Sequence, residues 1–280
     1  MRLGYNTNGL AHHRLSDAIR LLADEGYSSV ALTMEVGGLD PFDEHTTYRD
    51  KVATVRSLLD SLGLGRVVET GARYLLNPRK KHDPTLMDPD PKRRAVRVDF
   101  LCRAIDLATE LEADAVSFWS GILPDNVTQD AALDRLVGAL APVISHAEKR
   151  QVRLAFEPEP GMFIDTFAQF AKLDERVQHP LFDLTVDLGH VHCIEQGEVA
   201  DHLRRWGPRI ANIHIEDMKK GVHEHLMFGE GTMDFPPIME ALRDLGYAGG
   251  LHVELSRHSH MAVEAVRKAR DFLTPMVDVR

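Results

Sequence analysis

The sequence predicts a single (β/α)8 barrel over residues 1–280, and three observations carry that expectation. Eight short apolar runs alternate with longer amphipathic segments from end to end. The length, 280 residues, suits a fold that needs about 250. No Pro/Ser-rich linker, low-complexity stretch or convincing internal repeat divides the chain.

The strand-like runs are RLGYN (2–6), SSVALT (28–33), LGRVVET (64–70), DAVSFW (114–119), VRLAFE (152–157), FDLTVD (182–187), RIANIHI (209–215) and GLHVEL (250–255). Near-continuous runs of Val, Ile and Leu predict parallel strands covered on both faces. Between them, SDAIRLLADEG reads as a helix capped by Ser16 and stopped at Gly26, and TQDAALDRLVGALAPVISHAEKR as one capped by Thr128. In RRAVRVDFLCRAIDLATELEAD, the residues Val96, Phe100, Ala104, Leu107 and Leu111 recur at helical spacing. FPPIMEALRDLGYAGG opens on Pro236 and Pro237 and ends at Gly246, with Asp234 placed to cap it. One connection is long: GARYLLNPRKKHDPTLMDPDPKRR, after the third strand, predicts a lid or binding loop.

Composition narrows the function classes. Asp and Glu number 43 against 33 Lys and Arg, which argues against a chain built to grip nucleic acid through its phosphates. Cys102 and Cys193 stand far apart with no CxxC pair, so a disulfide framework is not expected and a reducing cytoplasm is. MRLGYNTNGL lacks an apolar leader core, and no run approaches the roughly 18 apolar residues of a membrane span. The expected partner is a small molecule, with neither nucleic acid nor membrane.

In such a barrel the carboxyl ends of the strands form the active face. Four consecutive runs finish on polar residues: LAFE on Glu157, LTVD on Asp187, NIHI around His214 and LHVE on Glu254. Any one of these acids could cap a helix, and a lone strand histidine could bond a backbone carbonyl. Four in succession, aimed at one mouth, argue for a shared task. Three crowded carboxylates raise one another's pKa unless a cation neutralises them. Three oxygens and one imidazole, with room for water or substrate, suit one divalent metal ion per chain in an octahedral shell. Mn²⁺ is favoured, with Mg²⁺, Co²⁺ and Zn²⁺ as alternatives.

Five motifs, FEPEPG, VDLGHVH, NIHIEDM, GEGTMDF and HVELS, carry a resemblance over nearly the whole chain. It resembles the xylose isomerase-like TIM barrels of sugar isomerases, 3-epimerases and related enzymes. In ketose 3-epimerases of that group, Glu, Asp, His and Glu on four successive strands hold the metal, which implies Glu157, Asp187, His214 and Glu254 here. The resemblance also implies that Glu157 and Glu254 act as the acid/base pair and that His190 binds substrate oxygens. A sugar, keto-sugar or cyclitol would be isomerised or epimerised through a metal-stabilised enediolate. Relatives are often dimers or tetramers, so a homodimer or homotetramer is expected.

Other residues have two readings each. His223 and His225 form an HxH pair that would add metal or substrate contacts, or else lie solvated in a loop. Glu69 and Glu35 are placed to bond a polyol, Glu159 to contact substrate or orient ligands, and Asp217 to orient ligands. Trp119 ends the fourth strand and would stack on a sugar or simply pack. Arg79, Lys80, Lys81 and His82 read as a solvated charge run or as a clamp for a phosphate or carboxylate. No GxGxxG or P-loop lies in a strand–turn–helix context.

Two alternatives share the scaffold. A metal-dependent lyase would dehydrate an inosose- or dehydroshikimate-like substrate. Endonuclease IV-like DNA-repair enzymes share the Glu…Asp-x-x-His…His…Glu framework, but they need a histidine where this chain has Phe118 and Trp119, and Asp-x-His where it has His223 and His225.

Overall fold

The computed structural model describes residues 1–277. Seven parallel strands follow one another in chain order: β1 (Arg2–Asn6), β2 (Ser29–Thr33), β3 (Gly65–Glu69), β4 (Val116–Phe118), β5 (Leu154–Phe156), β6 (Phe182–Asp187) and β7 (Ile210–Ile215). Next, β8 (Asp217–Lys219) and β9 (Val222–Leu226) make a separate antiparallel ribbon, and β10 (Gly250–Val253) closes the ring between β7 and β1. The predicted barrel is therefore present, with all eight expected strands. The HxH segment is not a plain loop but the β8–β9 ribbon, whose second strand carries His223 and His225.

Nine helices accompany the strands among the described residues: α1 (Leu15–Asp24), α2 (His45–Ser61), α3 (Pro91–Leu111), α4 (Gln129–Arg150), α5 (Phe167–Val177), α6 (Leu188–Ile194), α7 (Val199–Trp206), α8 (Phe235–Asp244) and α9 (Ala262–Val277). Thr128 caps α4 as expected, accepting from the Ala131 N–H. Ser16 does not cap α1. The helix starts one residue earlier, at Leu15, with Arg14 in the cap position and no side-chain bond. Asp234 stands at the cap of α8 without a side-chain bond, so Pro236 and Pro237, which need no N–H partner, set that start instead. On α3 the buried stripe includes Phe100, Ala104, Leu107 and Leu111, whereas Val96 is exposed. None of the described helices is long and apolar enough to cross a membrane.

The strands read as apolar on both faces, but their alternation divides large from small side chains. Val116, Phe118, Leu154, Phe156, Leu184, Ile213 and Leu251 belong to the main core. Ala115, Ala155 and Ala211 form a separate cluster, and Ser29, Ser117, Thr185, Asn212 and His252 are buried and hydrogen-bonded to one another. Bulky branched residues usually fill such a barrel. Here the interior is a column of small and polar groups that rises towards the strand ends.

His252 takes the space at the centre of that column. A Cβ added at Gly4 or at Gly250 would collide with its imidazole ring, so both glycines are there to admit it. Gly4→Ala and Gly250→Ala should each lower stability by about 1–3 kcal/mol through overpacking, read as a lower urea midpoint. A wild-type midpoint in both variants would mean that the ring does not lie between them.

Candidate metal centre

Asp187 is the last residue of β6 and sits opposite His214 of β7 in the strand register. Glu157 directly follows β5, its N–H donating to the Phe118 carbonyl at 2.8 Å. Glu254 directly follows β10, its N–H donating to the Ile215 carbonyl at 3.1 Å. Strand pairing thus runs on through both glutamates and fixes which way their side chains point. Each of the four offers one donor atom, and these atoms lie within 4.8 Å of one another. Glu157, Asp187 and His214 are buried and Glu254 is partly so.

The cluster has unmet electrostatic demand. Asp187 Oδ1 accepts from the His190 N–H at 2.8 Å and so caps α6. Its Oδ2 is buried with no hydrogen-bond partner among the described residues, a cost of about 1–3 kcal/mol or more for a charged oxygen. His214 Nδ1 lies 3.2 Å from Glu157 Oε1 and 2.9 Å from Glu254 Oε2, one nitrogen between two carboxyl groups. Three carboxylates and an imidazole with an open side are donors that fit a divalent ion.

The surroundings separate the two glutamates. Burial drives the Glu157 carboxyl well above its ordinary range, against the pull of His214. Burial acts on Glu254 too, but His214, His225 and His190 outweigh it and hold that carboxyl well below the usual range. Asp187 is also lowered, since His190 and His225 overcome its burial. On His214, burial loses to Glu69, Glu254 and Glu157, which hold the imidazole well above its ordinary value.

A layer of partners fixes these groups. Glu69 Oε1 lies 2.9 Å from His214 Nε2 and 3.1 Å from Asn212 Nδ2. A carboxylate oxygen only accepts, so Nε2 carries a hydrogen and Nδ1 is the nitrogen facing the carboxylates. Asn212 Oδ1 meets His252 Nδ1 at 2.8 Å, and His252 Nε2 meets Ser29 Oγ at 2.8 Å. Asn8 Nδ2 donates to Glu254 Oε1 at 2.8 Å.

A cavity of about 220 Å³ opens over the cluster. That is below the roughly 300–1,000 Å³ of sites for drug-sized ligands and suits a small polyol. Glu69, Trp119, Glu159, His190 and His225, all expected as substrate contacts, line it. Burial, with help from Glu254, pushes the Glu159 carboxyl up to about 7. Burial holds His190 down to about 3, and its Nε2 lies 3.0 Å from His223 Nε2. His190, His223 and His225 form a second donor group, and Asp187, Glu216 and His225 a third.

Other expected residues stand elsewhere. Glu35 pairs with Arg73 at 3.5 Å and borders a separate hollow. Asp217 does not touch the four donors: its oxygens accept from the N–H groups of Met218, Gly229, Gly231 and Met233, shaping the GEGTM turn. Lys81 and His82 line the cavity, whereas Lys80 pairs with Asp83 at 3.1 Å. Sequence reasoning passed over Asn8, Asn212, His252 and Glu216. A period-2 reading of β7 would have found two of these, because Asn212, His214 and Glu216 alternate along one line. Glu216 is fully buried, neither oxygen has a hydrogen-bond partner among the described residues although His225 Nδ1 lies 3.6 Å from Oε2, and burial pushes it up to about 8. Gly189 makes room for it, since a Cβ there would strike its carboxylate.

Two outcomes follow for metal binding. His214 holds its protons to higher pH than usual and must give up the one on Nδ1 to ligate, whereas Glu157 can ligate through one oxygen and keep a proton on the other. Loading should therefore release protons and weaken as pH falls, read by calorimetry in buffers of different protonation enthalpy. An affinity independent of pH would contradict this. Glu69→Gln should cost about 10–100-fold in metal affinity through loss of the His214 partner; wild-type affinity would show that Glu69 does not orient it.

Known proteins resemble this chain in sequence and in fold. The L-ribulose-5-phosphate 3-epimerase UlaE of Salmonella paratyphi A is 25% identical over 211 residues, covering 74% of this chain and 73% of that protein. D-allulose 3-epimerase from Methylomonas sp. superposes with a TM-score of 0.77 at 18% identity, over 99% of this chain and 98% of its own. The IOLI protein, in a structure with a zinc atom, also gives 0.77, at 17% identity, over 99% of this chain and 98% of its own. The model of the xylose isomerase-like TIM barrel family matches residues 19–276. The chain belongs to that family.

Proposed function

We propose that this chain is a divalent-metal-dependent isomerase or epimerase of a small sugar, keto-sugar or cyclitol. One observation carries the reading: two glutamates meet in a single donor cluster at the floor of a small polar cavity, where their surroundings push the two carboxyl groups in opposite directions from their ordinary range. Environments that push paired carboxyl groups apart are how acid and base roles are divided. The sugar epimerases among the similar proteins point the same way.

Glu157, Asp187, His214 and Glu254 would hold the ion. Bound there, it supplies polarisation of a carbonyl and the neighbouring hydroxyl, and it offsets negative charge developing on the substrate. Each glutamate has two oxygens, so one can ligate while the other handles a proton. Glu254, ionised and steadied by Asn8, takes the proton from the carbon that lies between carbonyl and hydroxyl. The C–H electron pair passes into an enediolate of the substrate. Glu157, which keeps its proton to higher pH, returns one. Delivery to the opposite face of the same carbon gives the epimer; delivery to the adjacent carbon gives the isomer. Trp119, Glu159, His190 and His225 hold the substrate's hydroxyls and apolar face against the cluster.

The test is turnover of 2-ketoses and inososes in D₂O by the Mn²⁺-loaded chain. An epimer or aldose carrying deuterium at the reacting carbon is expected, and Glu254→Gln should lose about 10²–10⁴-fold in kcat while still binding metal. Full activity in Glu254→Gln would refute the assignment. A product lighter by one water would make the chain a lyase instead.

A further inference from the structure

One wall of the cavity is organised by a buried cation that the chemistry above does not use. Arg97 of α3 is 3% exposed. Its Nη1 donates to the Thr70 carbonyl at 3.3 Å, Nη2 to the His82 carbonyl at 3.1 Å, and Nε to the Pro84 carbonyl at 3.1 Å. These acceptors lie at separate points of the long connection from β3 to α3. The guanidinium carbon also lies 4.7 Å from the centroid of the Trp119 ring. His82 meets that ring edge-on, at 5.3 Å and 87°. Thr70, His82 and Trp119 all line the cavity.

Arg97 makes no ion pair among the described residues. Burying a guanidinium without a directly paired carboxylate is expensive, and it is offset here by a fixed fork of donors that meets its acceptors, with the buried Asp83 carboxylate acting from further off. A position like this suits a clasp. The connection 70–90 has few ladder bonds of its own; Arg93 and Arg135 tie down its later part through Asp83, Asp88 and the Met87 carbonyl, and Arg97 links that part to Thr70 and to the indole. The indole, covered on one face by the guanidinium and edged by His82, is held in one orientation.

We infer that Arg97 is a positioning residue for substrate: it locks the 70–90 segment and Trp119 together as a rigid aromatic wall that receives the C–H face of a carbohydrate. The inference rests on the sugar reading of the site. A pre-set wall spares the binding step the cost of ordering a loop and an indole. The negative face of an aromatic ring attracts the weakly positive C–H groups of a polyol.

The experiment uses the full chain carrying Trp206→Phe, which leaves Trp119 as its one tryptophan. Arg97→Met and the milder Arg97→Lys are compared in that background. Without any sugar, Arg97→Met should red-shift Trp119 emission, raise its quenching by acrylamide, and speed proteolytic cleavage within 70–90. Metal affinity should remain as in the parent. With a turned-over ketose, KM should rise about 2- to 12-fold, the size of one lost aromatic contact, while kcat stays near that of the parent. Arg97→Lys, which keeps the charge but loses the fork, should shift the same readouts less, and it carries the test if Arg97→Met does not fold. Parental emission, quenching and cleavage in a folded variant would overturn the clasp. A loosened wall with unchanged KM would overturn its role in substrate binding. The sugar-free readouts stand even if no sugar is turned over, so failure of the clasp and failure of the sugar reading are distinguishable.

Discussion

Like charges brought together away from water are the constraint on which this structure turns. Neighbouring strands deliver Glu157, Asp187 and Glu254 to one place, with His214 as the one imidazole of the four donors and His190 and His225 close by. One imidazole cannot balance three carboxylates. The result shows in the groups themselves: burial pushes the Glu157 carboxyl well above its ordinary range, the histidines hold that of Glu254 well below it, and Asp187 Oδ2, 3.5 Å from His190 Nε2, is buried with no hydrogen-bond partner among the described residues. A divalent cation answers all three at once, and it would leave two glutamates beside whatever it binds.

The barrel's interior leads to that cluster. Large residues face the helices and make the main core, while the inside carries a small alanine cluster and a hydrogen-bonded column of Ser29, His252, Asn212 and Glu69 ending at His214. Such a column is costly if half satisfied and rigid if complete. Gly4 and Gly250 admit the His252 ring, and Gly189 admits Glu216. The hydrogen-bonded column holds one imidazole, that of His214, in one orientation.

The eight strands were legible because apolar runs with helical segments between them have few other solutions. The four donors were legible because each ends such a run. What sits beside them was harder to see. Asn212 and His252 lie inside runs whose overall apolarity hid the alternation, so the interior face passed for ordinary packing. Asn8 follows a strand rather than ending one, and reaches Glu254 only because β1 and β10 are neighbours, a closure contact between residues 246 apart. Asp217 looked like a ligand-orienting acid because it stands near His214, but strand alternation sends it the other way, into the turn at Gly229 and Gly231. Ser16 failed as a cap because the side-chain preference at a helix start is weak beside the packing that sets where the helix begins. The wall around Trp119 was not legible at all. It depends on a buried arginine from α3 meeting three carbonyls far along the chain.

The most direct test of the central claim is anomalous diffraction from crystals of the chain loaded with Mn²⁺, collected at the manganese edge. The account predicts a single strong peak between Glu157, Asp187, His214 and Glu254, with an oxygen from each carboxylate and Nδ1 of His214 as its protein ligands. Crystals that hold no manganese there after loading, with the four side chains turned apart, would contradict it.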